Sequence, residues 1–308
     1  QRQMCIRDRI TQWMQLPEKA EDATIDAHNK QLAYVLDNNV FLYDETGKIH
    51  QITKDGKYEV VNGKSVHQNE FGINHGLFFS PMGNYLGFYK MDQTVVTDYP
   101  IVDWSVQPAV NKNIKYPFSG TKNHTVILGV YQPKTGKTIF LQTQPEIDHY
   151  LTSVTWSPDE KSIFIALLSR NQKHLQLNEY DVASGKKIRT LFEENDDKYV
   201  EPQHELYFLP GKKDEFVWWS QRDGFMHLYR YNREGKLLNA ITKGNWLVNE
   251  IVGNNPKRKE LLITTTKDSP KEKQLYAVNW ENGKLRKISK NPGTHTVLAC
   301  LLYTSDAA

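Results

Sequence analysis

The chain has 308 residues, of which 39% are hydrophobic and 24% charged, with a formal net charge of +3. That is an ordinary soluble globular composition, and neither sign of charge dominates as it does in proteins that track a nucleic-acid backbone. Apolar runs such as Ile163-Phe164-Ile165-Ala166-Leu167-Leu168 are far too short to span a bilayer, so neither a nucleic-acid partner nor a membrane span is expected.

The two ends are set aside first. Residues 4–9 and 300–308 are encoded by strings that are reverse complements of one another in different frames, as in a translated sequencing adapter. Residues 1–9 and 300–308 are therefore expected to be adapter-derived and foreign to the fold. They hold both cysteines, Cys5 and Cys300, and a net charge of +1, so the remaining 10–299 carries +2 and no cysteine. It says nothing about redox compartment. Its length of roughly 290 residues exceeds the usual single core, so two domains or one repeat architecture is expected.

A repeat is present. Gly-Lys turns follow strand-like runs at Tyr43-Asp44-Glu45-Thr46-Gly47-Lys48, at Gly136-Lys137, at Gly185-Lys186, at Gly235-Lys236 and at Gly283-Lys284. The glycines are spaced by 89, 49, 50 and 48 residues. Glycine supplies the positive φ that a tight hairpin needs, and lysine keeps the turn tip solvated. With a strand pair opening each unit, this gives four strands per unit at the length of a propeller blade.

In chain order, residues 34–53 read as the later strands of one blade. Residues 65–72 form a polar, Gly-broken loop or turn feeding the hairpin 77–89. Residues 73–143 form a longer blade with a loop-like excursion at 92–125, and 148–192, 205–242 and 248–289 are three regular blades. Residues 193–198 read as a solvated acidic loop. The expected fold is all-β: an incomplete β-propeller of four-stranded antiparallel blades, about five to six of an eight-bladed parent.

Catalytic motifs are mostly absent. There is no Gly-x-Ser-x-Gly elbow. Thr135-Gly136-Lys137-Thr138 imitates the end of a phosphate loop, but Tyr131 stands where its first glycine belongs. His204-Glu205 lacks a second histidine, and Asn123-His124-Thr125 matches a glycosylation sequon of a kind common by chance. His67, His75, His149, His204 and His227 have no ligand spacing and read as structural; no cofactor or metal is expected. What remains is Asn69-Glu70, where a loop carboxylate aimed at a cavity could hold an ammonium group.

Val66-His67-Gln68-Asn69-Glu70-Phe71-Gly72, Tyr85-Leu86-Gly87-Phe88-Tyr89, Asp148-His149-Tyr150-Leu151, Val154-Thr155-Trp156, Tyr199-Val200-Glu201-Pro202 and Trp219-Ser220-Gln221-Arg222-Asp223-Gly224 occur in that order. With them the chain, from about Ala23 to about Val297, resembles the N-terminal β-propeller of the dipeptidyl peptidase IV group in the prolyl oligopeptidase family of serine peptidases. The resemblance implies a parent whose propeller covers a C-terminal α/β-hydrolase domain with a Ser-Asp-His triad, a domain missing from this chain, so that the fragment alone is inactive. It also implies a paired-glutamate motif that holds the free N-terminus of a peptide substrate. That motif falls on Asn69 and Glu70: Glu70 matches the second acid, and Asn69 departs from the first. One carboxylate in place of two weakens ammonium binding, because Asn offers only a neutral acceptor. Asn74, His75 and residues 199–202 are read as turn and strand-entry residues near that site. A bacterial, periplasmic or secreted parent and a homodimer are further expectations. The rival is a non-enzymatic propeller serving as a protein-interaction module.

Overall fold

The computed structural model describes residues 14–298; the flanking segments 1–9 and 300–308, assigned above to adapter, lie outside the described residues. Strands dominate, and they form five blade sheets plus one separate hairpin. In four of the sheets, four consecutive strands pair in chain order, all antiparallel. The first holds Glu21–Asp26, Gln31–Leu36, Asn39–Tyr43 and Ile49–Gln51; the third His149–Trp156, Ser162–Ser169, His174–Asp181 and Lys187–Asn195. The fourth holds Tyr207–Phe208, Glu215–Ser220, His227–Asn232 and Leu237–Ala240; the fifth Val248–Asn255, Glu260–Thr265, Gln274–Asn279 and Leu285–Lys287. This is the incomplete propeller the repeat predicts.

The first strands of successive sheets are neighbours. Glu21–Asp26 lies beside Leu77–Phe79. Leu206 N–H donates to Thr155 Oγ1 at 3.1 Å, and Asn254 Nδ2 donates to the Tyr207 hydroxyl at 2.9 Å. Apolar side chains fill the gaps between sheets. One buried cluster joins Tyr89 and Val130 of the second sheet, Leu151 and Ile163 of the third and Phe216 and Trp218 of the fourth; another joins Val217 and Trp219 to Ile263 and Val278. Trp156 Nε1 donates across a sheet boundary to the Phe78 carbonyl at 3.2 Å.

The even spacing of the Gly-Lys turns has a structural cause beyond positive φ. A Cβ on Gly185 would lie 2.5 Å from the Phe140 carbonyl oxygen, and one on Gly235 would lie 2.2 Å from that of Leu191. Phe140 and Leu191 belong to the outermost strands of the preceding sheets. These two turns therefore dock on the edge of the preceding sheet, and the Gly283 turn does so more loosely, its added Cβ 2.9 Å from the Ile241 carbonyl oxygen, which sets the length of the third to fifth units.

Three expectations change. The first sheet is complete, because Glu21–Asp26 supplies its opening strand; its sequence EDATID is too polar and exposed to show an apolar alternation. The excursion at 92–125 is not loop-like but carries an ordered hairpin, Asp98–Asp103 with Val110–Lys115. Its alternation is diluted by Asp, Pro and Asn. Residues 193–195 close the strand Lys187–Asn195, and the Glu194 side chain is only 11% exposed. It accepts from Trp218 Nε1 (2.9 Å), Ser220 Oγ (3.0 Å) and Arg222 (2.5 Å), so it is an anchor between sheets rather than a solvated charge.

The second sheet departs from the rule. Its third and fourth strands, Thr125–Gln132 and Lys137–Phe140, are regular, but its inner strand is in two pieces that share one neighbour. Leu77–Phe79 pairs with residues 86–88 of Leu86–Asp92, and Val60–Asn62 pairs with residues 90–92 of the same strand. Tyr89 bridges the break: its carbonyl accepts from Gly63 N–H at 2.7 Å, and its N–H donates to the Gly76 carbonyl at 3.0 Å. Residues 64–75 are thus a loop extruded from the middle of an inner strand, pinched shut at Gly63 and Gly76.

Candidate functional site

The extruded loop carries the Asn69-Glu70 pair. It turns through an unusual backbone: His67, Gln68 and Asn69 have φ of 54, 56 and 61°, and Phe71 follows at 57°. Hydrogen bonds from Asn69 N–H to the Val66 carbonyl and from Glu70 N–H to the His67 carbonyl, both 3.1 Å, close a single left-handed turn. Left-handed backbone costs a non-glycine residue about 1–2 kcal/mol, and such strain persists only where the surroundings over-determine it. Asparagine enters this region more readily than glutamate, which is a physical reason for Asn at 69.

The surroundings that impose the turn come from distant parts of the chain. His67 is 3% exposed. Its Nε2 accepts the Leu151 N–H at 3.0 Å, and its Nδ1 lies 2.8 Å from Nε2 of His124. The Leu151 carbonyl takes the Tyr89 hydroxyl at 3.0 Å, so the free edge of the third sheet is satisfied from the second. Tyr150 packs on both sides of the turn, with ring centroids 5.0 Å from His67 and 4.9 Å from Phe71. On the far side, Gly72 lies against the backbone of Gln203.

Asn69 and Glu70 themselves are exposed, and neither side chain hydrogen-bonds or ion-pairs with another described residue. Glu70 lies on the exposed surface of the loop. It stands close enough to Tyr150 for its charge to act on the phenol, whose pKa is raised mainly by burial, lowered by Arg170, and raised further by Asp148 and Glu70. The Arg170 guanidinium sits over the same ring, 5.6 Å from its centroid. The loop therefore presents one unpaired carboxylate on a rigid turn, with an arginine and a phenol beside it. Such a carboxylate can accept charge-assisted hydrogen bonds from an ammonium group.

The other residues singled out in the sequence fall elsewhere. Asn74 Oδ1 accepts from His75 Nδ1 at 2.6 Å, and His75 packs at a tilt on Phe78 with its Nε2 4.0 Å from Glu205. His204 stacks on Trp219, and His227 bonds Thr242 and the Gly244 carbonyl, both as structural histidines. His149 is buried with Nε2 unpartnered. Asn123 of the sequon is buried, with Nδ2 3.4 Å from Asp148. Residues 135 and 136 lie in the turn between two paired strands, and 137 and 138 open the second of them. Among the described residues no group of three or more His, Cys, Asp or Glu could hold a metal ion. Sequence reading missed the roles of His124 and Arg170, which lie 57 and 100 residues beyond His67 and Glu70: His124 appears there only inside the sequon match, and Arg170 carries no motif.

Residues 4–306 match the family model described as the dipeptidyl peptidase IV (DPP IV) N-terminal region. Dipeptidyl peptidase 4 of Trichophyton rubrum is 27% identical over 267 residues, covering 82% of this chain and 34% of its own length. Among solved structures, a candidate dipeptidyl aminopeptidase IV from Bacteroides ovatus aligns with a TM-score of 0.80 at 38% identity, over 87% of this chain and 40% of that one. Dipeptidyl peptidase 4 of Porphyromonas gingivalis aligns with a TM-score of 0.81 at 26% identity, over 91% and 40%. The chain thus spans between a third and two fifths of the length of these relatives.

Proposed function

Because the chain belongs to the dipeptidyl peptidase IV N-terminal region family, we propose that it is the substrate-gating and N-terminus-recognising propeller of a dipeptidyl-peptidase-IV-like serine exopeptidase. The catalytic α/β-hydrolase domain lies in the part of the parent this chain does not span. The observation that carries the reading is Glu70: an unpaired carboxylate held out on a turn whose left-handed backbone is maintained at a cost. In this proposal Glu70 captures the substrate's α-ammonium and so counts residues from the N-terminus. Asn69 contributes a neutral acceptor, and the Tyr150–Arg170 pair walls the site. The parent is bacterial and periplasmic or secreted.

In the full-length parent, Glu70→Gln is expected to lower kcat/KM on substrates with a free N-terminus by about tenfold to a hundredfold, the worth of a hydrogen bond to a charged group. Asn69→Glu is expected to raise it by up to about tenfold, tempered by the left-handed backbone at that position. Full activity of the Glu70 variant, or equal cleavage of N-terminally acetylated substrates, would sink the reading. A parent reading frame without a Gly-x-Ser-x-Gly elbow beyond residue 298 would favour the interaction-module alternative.

The projecting hairpin supports a homodimer. One face presents Tyr99, Ile101, Val110 and Ile114, each at least 40% exposed, and Trp104 at the tip is 81% exposed. Cross-strand pairs Asp103–Lys112 (2.7 Å) and Asp98–Lys115 (3.2 Å) leave it with balanced charge, so a second copy meets no net repulsion. A two-stranded ribbon with both edges free is marginal alone and gains from such pairing. Ile101→Asp with Ile114→Asp is expected to convert the parent from dimer to monomer in sedimentation velocity, with thermal stability of the monomer unchanged. An unaltered dimer removes the hairpin from the interface.

A further inference from the structure

The clasp beneath Glu70 has a chemistry of its own. His67 Nε2 accepts the Leu151 N–H, so its ring proton must sit on Nδ1; that proton points at His124 Nε2, which must therefore be bare. The hydrogen bonds are satisfied by one arrangement only, with both rings neutral. A proton added to His124 would set two N–H donors against each other at 2.8 Å. One added to His67 would set a second donor against the Leu151 N–H. The two rings stack at 4.9 Å with 27° between their planes, so neither can turn away without unpacking the other.

We propose that His67 and His124 are positioning residues: as a neutral pair they clasp the extruded loop to the first strand of the third sheet and hold Glu70 in place, and a proton on either ring releases it. The functional consequence rests on the Glu70 reading above; the clasp itself does not.

The groups facing the pair agree with this. Burial, and then the charges of His124, His149 and Arg170, push His67 well below its ordinary value. Burial and Arg170 push His124 down to about 4, with Asp148 opposing. His149, itself lowered by burial, faces Asp148 and Glu146, and Tyr150 and Glu70 complete the surroundings. Because the native rings bind protons less readily than free histidine at 6.5, the clasp is at full strength above that pH. It weakens as pH falls below 6.5 and is spent by about 4.

The test is amide hydrogen exchange on the whole 308-residue chain, stepped from pH 7 to 4 and corrected for intrinsic rates. Protection at the Asn69, Glu70 and Ile73 amides should fall by about tenfold or more across that range, while strand Ser162–Ser169 keeps its own. In His124→Gln the side-chain carbonyl can still accept from His67 and does not titrate, so protection should persist to lower pH. In His124→Leu the His67 Nδ1–H loses its acceptor, and the loop should exchange freely already at pH 7. A flat wild-type profile to pH 4, or His124→Gln titrating like wild type, overturns the clasp. These two results stand even if His124→Leu fails to fold. If exchange behaves as stated but parent activity ignores Glu70→Gln, the clasp survives and the N-terminus reading falls; the converse result drops the clasp alone.

Discussion

Gly76→Ala should cost about 3 kcal/mol, the upper end of what overpacking a tight site costs, and should displace the loop that carries Glu70. A Cβ at this position would lie 2.1 Å from the Lys64 carbonyl oxygen and 2.7 Å from the Gly63 carbonyl carbon, and both obstacles are backbone. Gly76 does not have a positive φ, so the cost comes from collision alone. The chain can relieve it only by parting the two strand ends, which breaks the pair of hydrogen bonds that Tyr89 makes with Gly63 and Gly76. Gly136→Ala is the control: its φ is +68°, yet no heavy atom lies within 4 Å of the added carbon. It should lose only the left-handed penalty of about 1–2 kcal/mol. Urea unfolding midpoints report both. If Gly76→Ala is no worse than Gly136→Ala, the pinch is not what shapes the loop.

Arg233→Ala should be the second most damaging change, at about 2–4 kcal/mol. Arg233 rises from the Gly-Lys turn of the fourth sheet into the third. There it donates to Glu179 at 3.0 Å, to Ser162 Oγ at 3.2 Å and to Asp159 at 3.4 Å. The Glu179 side chain is 2% exposed and Arg233 is 15% exposed. Removing one partner of a buried pair strands the other charge, a loss of about 3–5 kcal/mol. Arg189, bound to Glu179 at 2.7 Å but 37% exposed, offsets part of it. Arg233→Lys should recover only a fraction, because an ammonium cannot span three acceptors held in a planar fork. The reference is Arg286→Ala. Its pair with Glu260 is shorter, at 2.8 Å, but Arg286 is 49% exposed, so the loss should stay below about 1 kcal/mol. Equal shifts in the unfolding midpoint for Arg233→Ala and Arg286→Ala would mean that this arginine does not tie the sheets together.

Both changes act on contacts between sheets, and this is where reading the sequence stops. Residues 148–192, 205–242 and 248–289 match the third to fifth sheets closely because each blade is a local meander: turn glycines and apolar alternation mark its strands within about fifty residues. Glu21–Asp26 escapes the same reading because a polar inner strand has no alternation to display. Glu194 escapes because an acidic run gives no hint that Trp218, Ser220 and Arg222 will converge on one of its members.

For the candidate site the division is sharper. The motif around Glu70 names the residue, and the departure at Asn69 is visible in the sequence as written. Nothing there shows that Val60–Asn62 and Leu77–Phe79 are two halves of one strand, because that pairing is defined by a third segment, Leu86–Asp92. Nor can the sequence show the left-handed turn, which is held by Leu151 and His124 from 84 and 57 residues away. By itself the sequence determined the repeat, the all-β class, the family and the residue on which recognition is proposed to turn. These rest on local rules: positive φ at turns, period-two alternation, and an ordered set of short motifs. Only the tertiary structure decided how Glu70 is presented, because hydrogen bonds and buried charges between sheets depend on which strands lie side by side, and periodicity within a strand does not encode its neighbour.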